Sequence, residues 1–292
     1  MSSSVPTTES KKNVYLNCSE ISSYINQSKW DYVTPFVRLW KRVDNENYIL
    51  CETKNIESET EPTIHLDKVN ELKETLGEDF IKQTISTTNN KQDMEKNIQK
   101  SFEKINTLDI AEDKKAELKV NMESLVNTSF GVYNEFGALD LYELNTKIKL
   151  NKDQQYNSKQ IYSTDKYNWL VGGKVDGICD SKIVEVKTRT KCFFKNIRDY
   201  ENTQMQLYMY IYERDLTDLV EYLPQNRVKI KISTIKKNKR DFEKIVSNLQ
   251  IFIHCFEEFL NYPIEKKYEF YNMGTFDKKE FLTSLYLDKM QY

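Results

Sequence analysis

The stretch "VDGICDSKIVEVKTR", Val175–Arg189, carries Asp176 and then Glu185 and Lys187, the last two separated by a single valine. Side chains alternate along a strand, so Glu185 and Lys187 share one face while Val184, Val186 and Thr188 take the other. Val184 and Val186 belong in a core. With Cys179, Asp180, Ser181 and Lys182 as a turn, Asp176 on the preceding strand reaches the same edge, and Asp180 is left as a turn residue. Neighbouring carboxylates repel, and an oxygen-seeking divalent cation, Mg2+ or Mn2+, is the natural remedy. The backbone carbonyl of Val186 is a further oxygen ligand. With an amine alongside, such a set suits metal-assisted phosphodiester hydrolysis. The plainer reading is a half-buried strand with a solvated polar face.

Two flanking helical segments favour the first reading. Upstream, Gly131, Glu135, Ala138, Leu139 and Tyr142 recur at spacings that put them on one helical face. A glutamate among small and apolar neighbours points inward, and an inward carboxylate without a partner is costly. Downstream, Tyr200, Gln204 and Tyr208 recur every four residues, which leaves one polar amide on an aromatic stripe. Tyr210 and Tyr212 read as core packing.

The rest of the inventory narrows the chemistry. The chain has 292 residues, 39 % hydrophobic and 30 % charged, and this composition reads as a globular protein. Its five cysteines are scattered singly with no CxxC pair, so neither a zinc ribbon nor a disulfide framework is supported and a reducing, intracellular compartment is expected. The two histidines, His65 and His254, have no partner motif, leaving carboxylates, lysines and a hard cation as the tools. No apolar run is long enough to cross a bilayer, and no membrane partner is expected. Net charge is −2, yet Arg227–Arg240 holds seven basic and no acidic residues. Its alternation along a strand offers one face to phosphates.

Those residues need elements to hold them. Residues 1–13 read as a disordered tail and 14–51 as an N-terminal helical part, with Ser19 or Asn17 capping a helix that carries Ile21, Tyr24 and Ile25. Trp30, Phe36, Leu39 and Trp40 supply core. Residues 52–125, with 17 acidic against 11 basic residues, read as a charged helical insertion that packs by one apolar stripe. Residues 126–292 hold a helix, a hairpin-like "NWLVGGKVDGIC", the Glu-x-Lys strand, the Gln204 helix, two further strands and a long last helix. This describes an α/β (α+β) fold with a mixed central sheet flanked by helices.

The order Glu135 helix, Asp176 strand, Glu185-x-Lys187 strand, Gln204 helix resembles the PD-(D/E)xK nuclease superfamily. More narrowly it is similar to phage lambda-type exonucleases and YqaJ-type viral recombinases. "CSEISSYINQSKW", "GVYNEFGALDLYE", "YENTQMQLYMY" and the closing strands and helix resemble that group's blocks in order, with 52–125 outside them. Val175 stands where the name has a proline, and Gln206 competes with Gln204 for the glutamine position. The resemblance implies a restriction-endonuclease-like core and a deoxyribonuclease, foremost an exonuclease acting on duplex ends, with an endonuclease or a silent DNA-binding module of the same fold as alternatives. It implies one or two Mg2+ or Mn2+ ions on Glu135, Asp176, Glu185 and the Val186 carbonyl, and catalytic parts for Lys187 and Gln204. Ser19 would hold a terminal phosphate, with Lys29 or Arg38 as basic partners. Arg189, Lys191 and Lys195 would guide the DNA backbone or form a solvated turn, and Tyr200 and Tyr208 join the DNA contacts. A ring-like homo-oligomer and a single-strand annealing partner are further implications.

Overall fold

The computed structural model describes residues 10–28, 31–57, 68–88, 90–152, 155–224 and 229–290. Among the described residues seven strands form two sheets: β1 (Lys12–Asn17), β2 (Asn157–Ser163), β3 (Tyr167–Gly173), β4 (Gly177–Ile178), β5 (Ile183–Thr188), β6 (Leu216–Leu223) and β7 (Lys229–Lys236). The first sheet has the order β1-β3-β2 and the second β4-β5-β6-β7. β5 and β6 are parallel, which requires a crossover between them. That crossover is the helix Asp199–Ile211, α8 in chain order. The others are α1 (Cys18–Tyr24), α2 (Val33–Val43), α3 (Asn45–Glu57), α4 (Lys68–Leu76), α5 (Glu78–Ser86), α6 (Lys91–Asn106), α7 (Glu112–Thr146), α9 (Lys239–Leu260), α10 (Ile264–Asn272) and α11 (Thr275–Leu285).

The second sheet is covered on both faces, and strand alternation decides which side chain meets which cover. Val184, Val186, Val220 and Tyr222 pack against Ala138, Leu139 and Tyr142 of α7. Ile183 and Leu219 point the other way, into the main core with Met205 and Leu207 of α8. That core is rich in aromatic rings. Phe36 of α2 meets Phe252, Phe256 and Phe259 of α9 edge-on, with centroids 5.1–6.3 Å apart, and Trp169 of β3 meets Phe256 at 5.9 Å. Edge-to-face rings lock the helices to the sheet more specifically than aliphatic contact would.

α7 is 35 residues long and serves two cores. Its first half packs Leu118, Met122, Val126 and Phe130 against Leu72, Leu76, Ile81, Met94 and Ile105 of α4, α5 and α6. Its second half covers the sheet. Buried residues recur every fourth position from Leu118 to Tyr142, which turns the stripe by about 40° per step around a 3.6-residue helix. The face that packs on the inserted helices is therefore rotated away from the face that packs on the sheet.

The architecture agrees with an α+β fold built on mixed sheets. Four local expectations change. Lys12 and Asn13, in the segment read as tail, pair with Tyr167 and Asn168 as the start of β1. The strand β2 lies in the stretch before "NWLVGG", where no strand was expected. "NWLVGGKVDGIC" is no hairpin, because β3 and β4 belong to different sheets. The boundary expected at 125/126 falls inside α7, so the segments on its two sides share one helix. Trp30 and Lys29 lie outside the described residues, as do Arg227 and His65.

Phe36 is fully buried and Phe276 is 70 % exposed. Phe36→Ala should lower unfolding free energy by about 3–5 kcal/mol in a denaturant titration, and Phe276→Ala by no more than about 0.5 kcal/mol. Equal losses would contradict this assignment of the core.

Candidate active site

β5 places the chemistry. Its register with β4 pairs Gly177 with Val184, and one step further sets Asp176 opposite Glu185. The turn closes as expected, with the Cys179 N–H donating to the Lys182 carbonyl at 2.9 Å. Asp176 Oδ2 accepts from the Val186 N–H at 2.6 Å, fixing its carboxylate at the edge of the sheet. Glu185, 4 % exposed, points away from α7 toward α8.

On that side Lys187 Nζ donates to Glu185 Oε1 at 2.8 Å and to Gln204 Oε1 at 3.1 Å. Gln204 Nε2 donates to the same Glu185 oxygen and to the Tyr208 hydroxyl, both at 3.0 Å. The amide is thus used at both ends, and the three polar side chains form one closed set. Gln206, two residues on, donates instead to the Lys236 carbonyl at 3.0 Å and accepts from the Asn238 N–H at 2.9 Å. Geometry therefore puts Gln204, not Gln206, beside Glu185. Tyr208 is 4 % exposed and packs on Gly173, where an added Cβ would come within 2.8 Å of the ring. It is a buried support for Gln204 and offers no surface to DNA.

Electrostatics single out Asp176 and Lys187. Burial, then the like charges of Glu185 and Glu135, push the Asp176 carboxyl well above the usual aspartate range, against the Val186 N–H bond and the Lys187 charge. Burial presses Lys187 to lose its proton, but Glu185, through charge and hydrogen bond, with Asp176 and Glu201, outweighs it and holds the ammonium above its ordinary value. In this arrangement Lys187 donates to both Glu185 and Gln204.

One atom is left over. Glu185 Oε2 is buried and has no hydrogen-bond partner, although buried carboxylate oxygens are ordinarily satisfied. A hard cation fits that oxygen and the crowded Asp176 beside it. Among the described residues, no three His, Cys, Asp or Glu side chains close on a common point suited to a metal. Glu135, half-buried on α7, acts on Asp176 through its charge.

The remaining expected residues divide clearly. Lys191 and Lys195 are exposed in the loop after β5. Arg189 is not a solvent-facing guide: its side chain is 10 % exposed and pairs with Glu201 at 2.7 Å and Glu221 at 2.8 Å. Tyr200 is half-buried beside it. Ser19 is exposed within α1 rather than capping it; Asn17 holds the cap position, its side-chain amide donating to Glu20 Oε2 at 3.2 Å and its oxygen capping no helix N–H. Arg38 is engaged by Glu20 at 2.5 Å. Sequence reasoning missed Glu201 and Glu221, and the available signal was a single acid among apolar, aromatic, hydroxyl- or amide-bearing residues in each of two segments, "ENTQMQL" and "LVEYL". No helix among the described residues is long and apolar enough to cross a membrane.

No family model matches the chain, and no curated protein matches it. Among solved structures it is similar to an alkaline exonuclease from Laribacter hongkongensis, at 17 % identity over 47 % of this chain and 71 % of that one, with a TM-score of 0.37. A structure of that exonuclease in complex with dAMP is similar at 16 % identity over 60 % of this chain and 84 % of that one, with a TM-score of 0.36. The protein SSO0001 is similar at 16 % identity over 57 % of this chain and 86 % of that one, with a TM-score of 0.36.

A carboxyl raised by folding binds its proton more tightly folded than unfolded, so the stability it contributes is full below its ordinary value of 3.8 and is lost as pH rises through the raised value. Asp176→Asn can still accept the Val186 N–H and carries no charge. In chelator, its melting temperature should exceed that of the wild type at about pH 8 and match it in acid. A wild type at least as stable across the whole range would contradict the buried-charge reading.

Proposed function

We propose that the chain is a divalent-metal-dependent deoxyribonuclease, in its foremost form an exonuclease that works from duplex ends. The observation that carries this reading is the unpartnered, buried Glu185 Oε2 beside Asp176, Lys187 and Gln204. Buried carboxylate oxygens are ordinarily satisfied, and a bound cation would satisfy this one. Asp176, Glu185 and the Val186 carbonyl are the groups that would hold one or two Mg2+ or Mn2+ ions, with Glu135, which does not close on a common point with them, adding its charge from α7. When bound, such an ion supplies Lewis acidity toward a phosphate oxygen and a more acidic coordinated water.

The chain's own residues do the rest. Lys187, 28 % exposed at its side chain, reaches the substrate side while Glu185 keeps it charged, so it offsets negative charge that develops on a nonbridging phosphate oxygen. Gln204 holds both the ammonium and the carboxylate, fixing the direction in which Lys187 points. The Val186 N–H keeps Asp176 from turning away. Lys191 and Lys195, exposed in the loop after β5, would meet the DNA backbone, which would make binding salt-dependent. The order of the four sequence blocks supports the exonuclease form over the endonuclease.

Incubation with linear and closed-circular duplex in Mg2+ or Mn2+ separates the readings. Linear duplex should be degraded from its ends and circles spared, and Lys187→Ala and Glu185→Gln should each lower the rate by at least ~10²-fold while remaining folded. Cleaved circles would make the chain an endonuclease. Salt-sensitive binding without cleavage would make it a silent DNA-binding module, and full activity in both variants would overturn the site.

A further inference from the structure

β5 and α8 are tied together at two levels. One is Gln204, which accepts from Lys187 at 3.1 Å and donates to Glu185 at 3.0 Å. The other is the Arg189–Glu201 ion pair at 2.7 Å, two residues further along the strand and three residues, nearly one turn, earlier on the helix. The two ties are successive rungs between the same two elements, because strand neighbours at i and i+2 share a face and so do helix neighbours at i and i+3. We infer that Arg189 and Glu201 are positioning residues that set the distance and rotation between β5 and α8, and through them the contact of Lys187 with Gln204. This inference rests on the proposed nuclease reading for its catalytic consequence.

The second rung is built to be stiff. Glu201 is fully buried and Glu221 is 2 % exposed, and the Arg189 guanidinium reaches both from different nitrogens, Nη2 to Glu201 and Nε to Glu221. Glu221 also accepts the Phe194 N–H at 2.9 Å and pairs with Lys231 of β7 at 3.1 Å. The Arg189 backbone N–H donates to the Tyr222 carbonyl at 2.7 Å, which carries the β5–β6 pairing one residue past the strand. The guanidinium also lies over the Phe194 ring, 4.0 Å from its centroid. A planar fork fixed at two carboxylates and one ring permits little rotation, and a lysine cannot reproduce that geometry. Both ion-pair partners of Arg189 are buried acids, so its charge is spent within the cluster rather than offered to phosphate. The cluster therefore has the chemistry of a brace.

The test uses the full chain and two variants that keep buried polar groups in place, Arg189→Lys and Glu201→Gln. Three measurements are made: kcat and KM on end-labelled linear duplex in Mg2+, duplex affinity against salt in chelator, and the NMR resonance of the Gln204 side-chain amide. Both variants should melt cooperatively, with kcat lowered by ~10- to 100-fold, as a displaced catalytic contact does. KM and the salt dependence of binding should be unchanged, and the Gln204 amide resonance should shift. A raised KM with a shallower salt dependence and a retained kcat would make Arg189 a phosphate contact and overturn the inference. An unmoved Gln204 resonance would overturn it too. If the wild type cleaves nothing, the nuclease reading fails by itself, and the NMR measurement still decides whether this rung sets the other.

Discussion

Two carboxylates held at one sheet edge, one with an oxygen that nothing in the protein satisfies, set the terms for the rest of the molecule. Asp176 lies just before β4 and feels the like charge of Glu185 on β5, and burial magnifies their repulsion because little water is there to screen it. Lys187 and Gln204 neutralise and bond only Glu185 Oε1. Hydrophobic isosteres at these positions would be easier to bury than half-satisfied acids. Keeping the arrangement has a stability cost, and sites that bind charge are where such costs collect.

The scaffold shows how that cost is contained. β5 presents valines to α7 and polar groups to α8, so a single strand joins a dry core to the charged side. α8 presents Gln204 from among residues that are nearly all buried, and the Tyr208 ring, pressed on Gly173, limits where the amide can go. α7 carries Glu135 at the point where its buried stripe passes from the inserted helices to the sheet. The inserted unit and the site are thus joined through one continuous helix, and a change in its packing has a direct mechanical route to Glu135.

Short-range pattern carried much of this from the sequence. Alternation in "KIVEVKT" assigned the faces of β5, and the four-residue recurrence of Tyr200, Gln204 and Tyr208 put the amide on the correct side of α8. Long-range pairing was not legible. β1 is a six-residue strand with a lysine and two asparagines, and only its parallel partner β3, about 150 residues away, makes it a strand. The division into two sheets depends on where the chain turns after Gly173, and no local signal marks that point. Arg189 was misplaced because a basic residue after a Lys-bearing strand reads as surface, whereas its partners, Glu201 and Glu221, are brought to it only by the packing of the next helix and strand. α7 hid the insertion boundary because a helix has no need to break where its buried face rotates.

The central claim is that Asp176 and Glu185 form a cation site, and calorimetric titration of Mn2+ into metal-free protein tests it without requiring catalysis. The wild type should bind Mn2+, and Glu185→Gln and Asp176→Asn, each still folded, should lose that binding. Undiminished Mn2+ binding in both variants, or none in the wild type, would contradict the account.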